Sequence, residues 1–252
     1  MKTLVATSLF ALGLAIVLPA HSADSVSPAI TAALADPDRA NDAQADARRH
    51  AAELVEFARI KPGDTVVDLI PGGGYFTRIF SQLVGPTGHV YAIWPDAYAN
   101  EDQDEVAASL TIMADKHYAN VTILFQPADK LSVPKQADLV WTSQNYHDYP
   151  DKFMGPTDPM LLNAAVFKAL KPGGSFVVVD HVAEAGSGTR DTDTLHRIDP
   201  AIVKSQVLAS GFTFDGETTV LANPADTHKI VVFDKAIRGH TDQFGYRFKK
   251  PG

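Results

Sequence analysis

The fold is indicated most clearly by the stretch Thr65-Val66-Val67-Asp68-Leu69-Ile70-Pro71-Gly72-Gly73-Gly74. Its first six residues are mostly apolar and β-branched, which is typical of strands buried in parallel sheets. Three glycines follow, and beyond them Phe76, Ile79, Phe80 and Leu83 recur at helical spacing. A strand, a glycine turn and a helix form the beginning of a βαβ unit, so the sequence predicts an α/β fold.

The same alternation continues on the C-terminal side of this unit. Further strands are predicted at 89–94, 121–125, 137–142, 175–180, 212–221 and 230–234, and further helices at 104–116, 161–170 and 200–210. About ten residues separate the last two predicted strands, too few for a crossover helix, so these strands should pair antiparallel. We therefore expect a Rossmann-like, doubly wound three-layer sandwich whose seven-stranded, mostly parallel sheet carries an antiparallel C-terminal hairpin.

The N-terminal residues have a different composition from the rest of the chain. Lys2 precedes an apolar run from Leu4 to Leu18, and Pro19 and small residues follow, which predicts a secretory signal peptide over residues 1–22. An uncleaved anchor is the alternative, but the run is shorter than the roughly 20 residues that a spanning helix needs. We expect a periplasmic or secreted protein that does not contact a membrane after signal cleavage.

Residues 23–252 are long enough for one sizeable core, so we expect a single domain. The domain should begin at residues 23–58 with an arm and one helix that ends at Ala58. It should finish with a tail at 237–252, whose aromatic residues pack against the domain or cover a pocket. Arg48 and Arg49 are interpreted as part of a solvated helix face, and a role at a ligand is the alternative. The chain has no cysteine, which excludes disulfides and thiolate chemistry. Its net charge of −8, without a basic stripe, argues against nucleic acid as a partner.

Function is expected at the carboxyl ends of the strands, where open α/β sheets bind their ligands. Asp68 is near the end of the first strand, and Gly72, Gly73 and Gly74 follow it in a turn whose backbone N–H groups can approach a ligand closely. The turn lacks the three spaced glycines of dinucleotide-binding sites. It could hold a phosphate or the amino-acid end of a cofactor.

The segment 66–74 resembles the signature of class I S-adenosylmethionine-dependent methyltransferases, in which an acidic residue ends the first strand and a Gly-x-Gly-x-Gly turn follows. Gly72 and Gly74 correspond to the second and third glycines, and Ile70 replaces the first. The resemblance extends over most of the mature chain and implies S-adenosylmethionine as cofactor. The residues that it implies for cofactor binding are Asp68, Gly72, Gly73, Gly74, Tyr75, Trp94, Asn145 and Asp129, the last of which resembles the acidic residue that meets the adenine amino group.

The end of the second strand departs from this pattern. The family usually has an acidic residue there for the ribose hydroxyls, whereas this chain has Trp94, with Asp96 two residues later. Either Asp96 reaches back or Trp94 stacks on adenine. The chain is also similar to a group of exported bacterial proteins thought to be methyltransferases, with 71–75, 145–148, 180–181 and 196–199 as the shared segments.

Ionisable residues follow the fourth and fifth predicted strands. We expect His147, Asp148 and His181 to be catalytic, because a histidine beside a carboxylate can act as general base toward a hydroxyl or amine. The residues expected to contact a small-molecule substrate are Tyr146, Asp180, His196 and Arg197. His196 precedes Pro200 on a segment that could form a lid or a wall of the substrate site.

Three functions remain open from the sequence. The first is a methyltransferase that acts on a small molecule. The second is a binding protein of the same fold that has lost catalysis. Ile70 and Trp94 favour this second function, and so does the cytosolic origin of the charged cofactor, which would not cross a membrane unaided. The third is a metal-dependent hydrolase or lyase, supported by the His and Asp pairs at 147–148 and 180–181. Asp180-His181 also resembles the Asp-Asn pair by which magnesium-dependent catechol-type methyltransferases hold their ion. Magnesium prefers oxygen ligands and the chain has no spaced His motif, so we expect no metal.

Overall fold

A computed structural model describes residues 26–154 and 157–252. The signal peptide predicted over residues 1–22, and the beginning of the arm at Ala23, lie outside these ranges. Within them, no helix combines the length and the apolar character needed to cross a bilayer.

The described residues contain one sheet of seven strands in the order β3-β2-β1-β4-β5-β7-β6. The strands are Thr65–Leu69 (β1), His89–Pro95 (β2), Val121–Gln126 (β3), Ala137–Ser143 (β4), Leu170–His181 (β5), Thr213–Thr218 (β6) and Gln243–Lys249 (β7). Only β7 runs against its neighbours β5 and β6, and the other neighbouring strands pair in parallel. The predicted sheet, with one antiparallel hairpin at its C-terminal end, is confirmed.

The last strand, however, was predicted at the wrong place. Residues 230–234 form turns, in which Val232 is buried and donates its N–H to the carbonyl of Leu195. The strand that pairs with β5 and β6 is β7, where Phe244 and Phe248 are buried. The aromatic residues of the predicted tail therefore pack into the sheet, because their period-two spacing matches a strand.

The helices among the described residues are Pro28–Leu34 (α1), Ala43–Asp46 (α2), Ala51–Ala58 (α3), Tyr75–Val84 (α4), Asp96–Glu101 (α5), Gln103–Ala114 (α6), Pro159–Ala169 (α7), Thr192–Leu195 (α8) and Pro200–Ala209 (α9). Two of them, α7 and α9, begin at a proline that follows an aspartate, and the aspartate side chain accepts an N–H of the first turn. The predicted helices that begin near 161 and 200 are therefore confirmed.

The N-terminal segment forms three short helices where the sequence predicted one. Asp36 caps a single 3-10 turn at Pro37–Arg39, and His50, with a φ of +47°, separates α2 from α3. A left-handed residue cannot continue an α-helix, so the chain changes direction at His50. As a result, residues 41–49 fold across the sheet edge at which β1 ends, where they form one wall of a cavity.

The hydrophobic core lies on both sides of the central strands. All five residues of β1 are buried, and α4 packs against β1 and β2. Trp141 of β4 is fully buried, with its ring centroid 4.9 Å from that of Phe76 and 5.4 Å from that of Phe80. Full burial of side chains of this size stabilises the fold by about 2–3 kcal/mol each, which fixes the ends of β1 and β4 relative to each other.

Candidate functional site

A cavity of about 920 Å³ lies at the edge where β1, β4 and β5 end. Nine of the residues predicted for the site line it: Asp68, Gly72, Gly73, Tyr75, Asn145, His147, Asp148, His181 and His196. The volume is within the range of about 300–1,000 Å³ that is usual for small-molecule and cofactor sites. The topology therefore brings together most of the site residues that were predicted from their positions at the ends of strands.

The glycine turn forms one end of this cavity. Gly72 and Gly74 have φ values of +56° and +84°, which glycine adopts without steric cost. Ile70, at the place of the family's first glycine, has a φ of +54° even though it is β-branched. This conformation is strained for isoleucine, so the turn keeps the backbone shape that a glycine would give.

A carboxylate already lies against this turn. A Cβ built on Gly72 would come within 2.5 Å of Glu105 Oε2, so the absence of a side chain leaves room for that carboxylate. Burial and the charge of Asp102 raise the pKa of Glu105, whereas the N–H of Gly73 and the charge of Arg49 lower it. The net effect is a raised pKa, and the space over Gly72 is one that a carboxylate occupies, with the Gly73 N–H and the Arg49 charge acting in its favour.

Asp68 lies beneath the turn and is nearly inaccessible to solvent. Its Oδ2 accepts a hydrogen bond of 2.6 Å from the Thr77 hydroxyl. Burial raises the pKa of Asp68 to about 7, because the Thr77 hydrogen bond offsets only part of the cost of removing the charge from water. Asp68 thus changes charge near neutral pH.

The wall formed by residues 41–49 was missed at the sequence level. Arg48 and Arg49 line the cavity, although they were interpreted as part of a solvated face. The Arg49 guanidinium lies 4.6 Å from the centroid of the Tyr75 ring, and its Nε has no hydrogen-bond partner among the residues that the structure describes. Burial lowers the pKa of Arg49, and the nearby charge of Arg48 adds to this effect. Arg49 is only half-buried, and no sequence pattern separated it from a solvated helix face.

Two contacts hold this wall against α4. Arg78 Nε lies 2.7 Å from Asp42 Oδ2, and the Tyr75 hydroxyl donates to Asp46. Asp46 also pairs with the buried Arg39 at 2.8 Å. The wall therefore follows the position of α4, the helix that begins at the glycine turn.

His147 is the centre of a second group of residues, at the end of β4. Its Nδ1 lies 2.7 Å from Asp180 Oδ1, and its Nε2 lies 3.1 Å from Asp148 Oδ1. Burial alone would lower the pKa of His147, but the charges of Asp180 and Asp148 raise it well above its usual value. His147 is then protonated at neutral pH and donates from both ring nitrogens. In that state the ring has no lone pair with which to act as a base.

The other two histidines differ from His147. Burial lowers the pKa of His181 to about 3, although Asp180 opposes the shift, so this ring is neutral. Its Nδ1 lies 2.7 Å from Thr241 Oγ1. His196 follows α8 with a φ of +52°, and its Nδ1 lies 3.4 Å from His147 Nε2. His181 is therefore a neutral imidazole that lines the cavity and is nearly inaccessible to solvent.

The structure places the other predicted site residues outside the cavity lining. Trp94 is fully buried and its Nε1 donates to Ser109, so it is not positioned as a stacking surface in this cavity. Asp129 is exposed in the turn after β3, and Gly74 is enclosed by Ile112. Because Trp94 lies inside the core between the sheet and a helix, its ring is not available to stack on adenine in this cavity.

Three residues predicted to contact substrate are held by protein groups. The Tyr146 hydroxyl accepts from Asn163 and donates to Gln206. Asp180 is fully buried and accepts from His147 and from the N–H of His181. Arg197 pairs with Asp226 at 2.9 Å, and neither side chain is accessible to solvent. These contacts occupy polar atoms of all three side chains, and the buried ion pair of Arg197 leaves no face for a ligand.

Comparisons with known proteins agree with this architecture, although no family model matches the chain. Over 127 residues the chain is 31% identical to a protein-L-isoaspartate O-methyltransferase of Ignicoccus hospitalis, covering 50% of this chain and 52% of that protein. Over 191 residues it is 26% identical to the ubiquinone/menaquinone biosynthesis C-methyltransferase UbiE of Ectopseudomonas mendocina, covering 75% and 64%. In both cases the chain spans less than two thirds of the relative's own length.

Solved structures resemble the chain over more of its length. A SAM dependent methyltransferase from Aquifex aeolicus superposes with a TM-score of 0.57 at 17% identity, over 88% of this chain and 96% of that one. The chain has the Rossmann-like methyltransferase fold. The glycopeptide N-methyltransferase MtfA, complexed with S-adenosylmethionine, shares it with a TM-score of 0.54 at 17% identity, over 80% and 87% of the two chains.

The methyltransferase fold also occurs in a protein that is named for another reaction. The [4+2]-cyclase SpnF superposes with a TM-score of 0.60 at 17% identity, over 81% of both chains. A shared fold therefore does not determine the reaction, and the function has to be argued from the residues of the cavity.

Proposed function

We propose that this protein is an S-adenosylmethionine-dependent methyltransferase that acts on a small molecule. The observation that carries the proposal is the glycine turn after β1, which already lies against the carboxylate of Glu105. S-adenosylmethionine also carries a carboxylate at its amino-acid end. The relatives and the fold support the same activity.

The residues around the turn suit two charged groups of this cofactor, its carboxylate and its sulfonium. The N–H of Gly73 and the guanidinium of Arg49 favour a carboxylate. Acidic side chains also line the cavity and would favour the positive charge of a sulfonium group. They are Asp42, Asp68, Glu101, Asp102, Glu105 and Asp148. Both groups of residues belong to one cavity, so the carboxylate and the sulfonium of one cofactor molecule can be bound together.

S-adenosylmethionine supplies a methyl group bonded to a positively charged sulfur. The protein has to hold the acceptor in line with that group, and such positioning supplies a large part of the rate in a direct displacement. His181 is neutral and faces the cavity, so it can accept a hydrogen bond from an acceptor hydroxyl or amine. Tyr98 and Phe153, with ring centroids 5.5 Å apart, form an aromatic wall that limits water near the reacting atoms.

Binding of S-adenosylhomocysteine to the purified protein tests the cofactor part of the proposal. We expect micromolar affinity by calorimetry, and a loss of at least about 100-fold, or about 2.7 kcal/mol, in Gly72→Leu, because a side chain there fills the turn. The matched control is Gly173→Leu, since Gly173 also has a positive φ and nothing lies within 4 Å of its Cβ position. If the folded parent protein does not bind, or Gly72→Leu binds as well as Gly173→Leu, the proposed site is wrong.

Turnover separates catalysis from binding alone. Ile70 and Trp94 depart from the family pattern and favour the second candidate function, a protein that binds the cofactor without transferring its methyl group. Formation of S-adenosylhomocysteine from S-adenosylmethionine, dependent on an added hydroxyl or amine acceptor, supports the enzyme. Tight binding with no transfer to any acceptor of a broad panel supports the second candidate.

Export of the protein is a separate proposal, supported by the charge and apolar pattern of residues 1–22. Expression of the full chain in a bacterium should give a periplasmic or secreted product that begins near Ala23, as read by N-terminal sequencing. Recovery of the uncut chain from the cytosol would contradict export. The similarity to exported bacterial proteins makes the same prediction.

A further inference from the structure

We propose that His147, Asp148 and His196 bind a divalent first-row transition metal at the end of β4. This site does not depend on the methyl-transfer proposal, and it revises the expectation from the sequence that no metal is bound. The three residues come from two segments, the 3-10 turn Tyr146–Asp148 and the residue that follows α8. The fold brings them together although Asp148 and His196 are 48 positions apart in the sequence.

The three donor atoms have the spacing of metal ligands. His147 Nε2 lies 3.1 Å from Asp148 Oδ1 and 3.4 Å from His196 Nδ1, and the last two atoms are 3.8 Å apart. Ligand atoms of a tetrahedral zinc site, with bonds of about 2.1 Å, are about 3.4 Å apart. A point equidistant from the three atoms lies about 2.0 Å from each, which matches Zn–N and Zn–O bonds of about 2.0–2.2 Å.

Asp180 supplies the support that such a site needs. A metal-binding histidine usually donates its second ring N–H to a carboxylate, which fixes the ring and makes the other nitrogen a better ligand. His147 Nδ1 lies 2.7 Å from Asp180 Oδ1, while Asp180 Oδ2 accepts the backbone N–H of His147 at 2.8 Å. The ring of His147 is therefore held in one orientation, with Nε2 directed toward Asp148 and His196. A metal ion would take the place of the proton between His147 and Asp148.

The site is open on the side of the cavity. The side chains of His147 and Asp148 are 3% and 5% exposed, whereas that of His196 is 28% exposed. All three line the 920 Å³ cavity. Two histidines and one carboxylate with open positions are typical of catalytic zinc and non-haem iron sites. The remaining positions would bind an oxygen of a ligand in the cavity, such as a hydroxyl or carboxylate.

A second cluster in the described part of the chain offers a control. Asp36, Asp38 and His117 also have donor atoms close together, but the side chains of Asp38 and His117 are 48% and 38% exposed. Asp36 accepts hydrogen bonds from His117 and from the N–H of Asp38, which accounts for its position without a metal. This cluster is more exposed to solvent, does not line the cavity, and should not bind a metal tightly.

Titration of the chelator-treated protein with Zn²⁺ and Co²⁺ tests the site. We expect one equivalent of Zn²⁺ to bind, and Co²⁺ to give the strong visible absorption of a four-coordinate ion. His196→Ala and Asp148→Asn should each weaken Zn²⁺ binding by at least about 100-fold, whereas His117→Ala should bind as the parent protein does. Mg²⁺ should not compete, because it prefers oxygen ligands.

His196 is partly exposed, so its variants are expected to fold, and thermal denaturation checks this. If His196→Ala does not fold, His196→Gln removes the imidazole with less loss of packing. The proposal is overturned if the parent protein binds no stoichiometric Zn²⁺, or if His117→Ala loses binding and His196→Ala does not. Titration of S-adenosylhomocysteine in the presence of chelator gives an independent readout, so failure of one proposal is distinguishable from failure of the other.

Discussion

The glycine turn after β1 and the histidine cluster after β4 line one cavity, but they are built from different parts of the chain. The turn is made of backbone atoms from consecutive residues, and Gly72 and Gly74 keep its positive φ values. The cluster is made of side chains, and His196 reaches His147 only because the loop after β5 folds back. A parallel bridge between Val182 and Ile198 holds that loop.

Because of this difference, different kinds of substitution should disrupt the turn and the cluster. A backbone site tolerates many substitutions nearby but is blocked by any side chain placed in the turn. A side-chain site depends on buried charges, each of which has to keep its partner. Substitutions at the two ends of the cavity should therefore affect binding and stability in different proportions.

The largest expected effect is on stability, at the cluster. Asp180→Ala should lower the free energy of unfolding by about 3–5 kcal/mol, measured by urea denaturation, because His147 would lose its main partner inside the protein. Glu184→Ala removes an exposed ion pair with Arg190 and should leave the unfolding free energy close to that of the parent protein. Equal effects of the two variants would show that the cluster is not held by its buried charges.

The next effect concerns Asp68, which supports the glycine turn. Its pKa of about 7 means that the folded protein keeps this proton up to neutral pH, whereas the unfolded chain releases it near pH 4. Stability is therefore lost as pH rises from about 4 to about 7. Asp68→Asn cannot ionise and should be more stable than the parent protein by about 2–4 kcal/mol above pH 7, and equally stable near pH 4. A difference that does not vary with pH would contradict the burial of this charge.

The smallest effect is on binding, at the wall beside the turn. Arg49→Ala should weaken S-adenosylhomocysteine binding about tenfold, or about 1.4 kcal/mol, because the cofactor carboxylate would lose one cation. Arg59→Ala is the control, since Arg59 is exposed at the end of α3 and does not line the cavity. Unchanged affinity in Arg49→Ala would place the carboxylate elsewhere in the cavity.

Much of the fold could be predicted because the pattern that decides it is local. Buried strands, proline at the start of helices and glycine after β1 each act within a few residues. The last strand was misplaced because residues 230–234 are as apolar as a strand, and only tertiary contacts show that Val232 pairs with Leu195 instead. The single predicted N-terminal helix was wrong because His50 has a left-handed conformation that its residue type does not reveal.

The site could be predicted in part, for the same reason. Asp68 lies near the end of β1, and the glycines and His147 come within a few residues after β1 and β4, so their place at the sheet edge follows from topology. Arg49 lies in the turn between α2 and α3 and Glu105 lies on α6, and both reach the cavity only in the folded chain. The buried contacts of Arg197 and Tyr146 depend on Asp226 and Gln206, which are distant in sequence. Sequence reasoning can name such residues but cannot separate those that bind a ligand from those that hold the structure.

The position of β7 has a consequence for the order in which the protein can fold. In the sheet β7 lies between β5 and β6, although it follows both of them in the chain. While the chain is being synthesised, β6 has no strand to pair with until residues 243–249 have been made, and β5 presents an open edge to other chains. The sheet can therefore be completed only in one late step. Until β7 has been made, the unpaired edge of β5 leaves the nascent chain sensitive to proteases and to self-association.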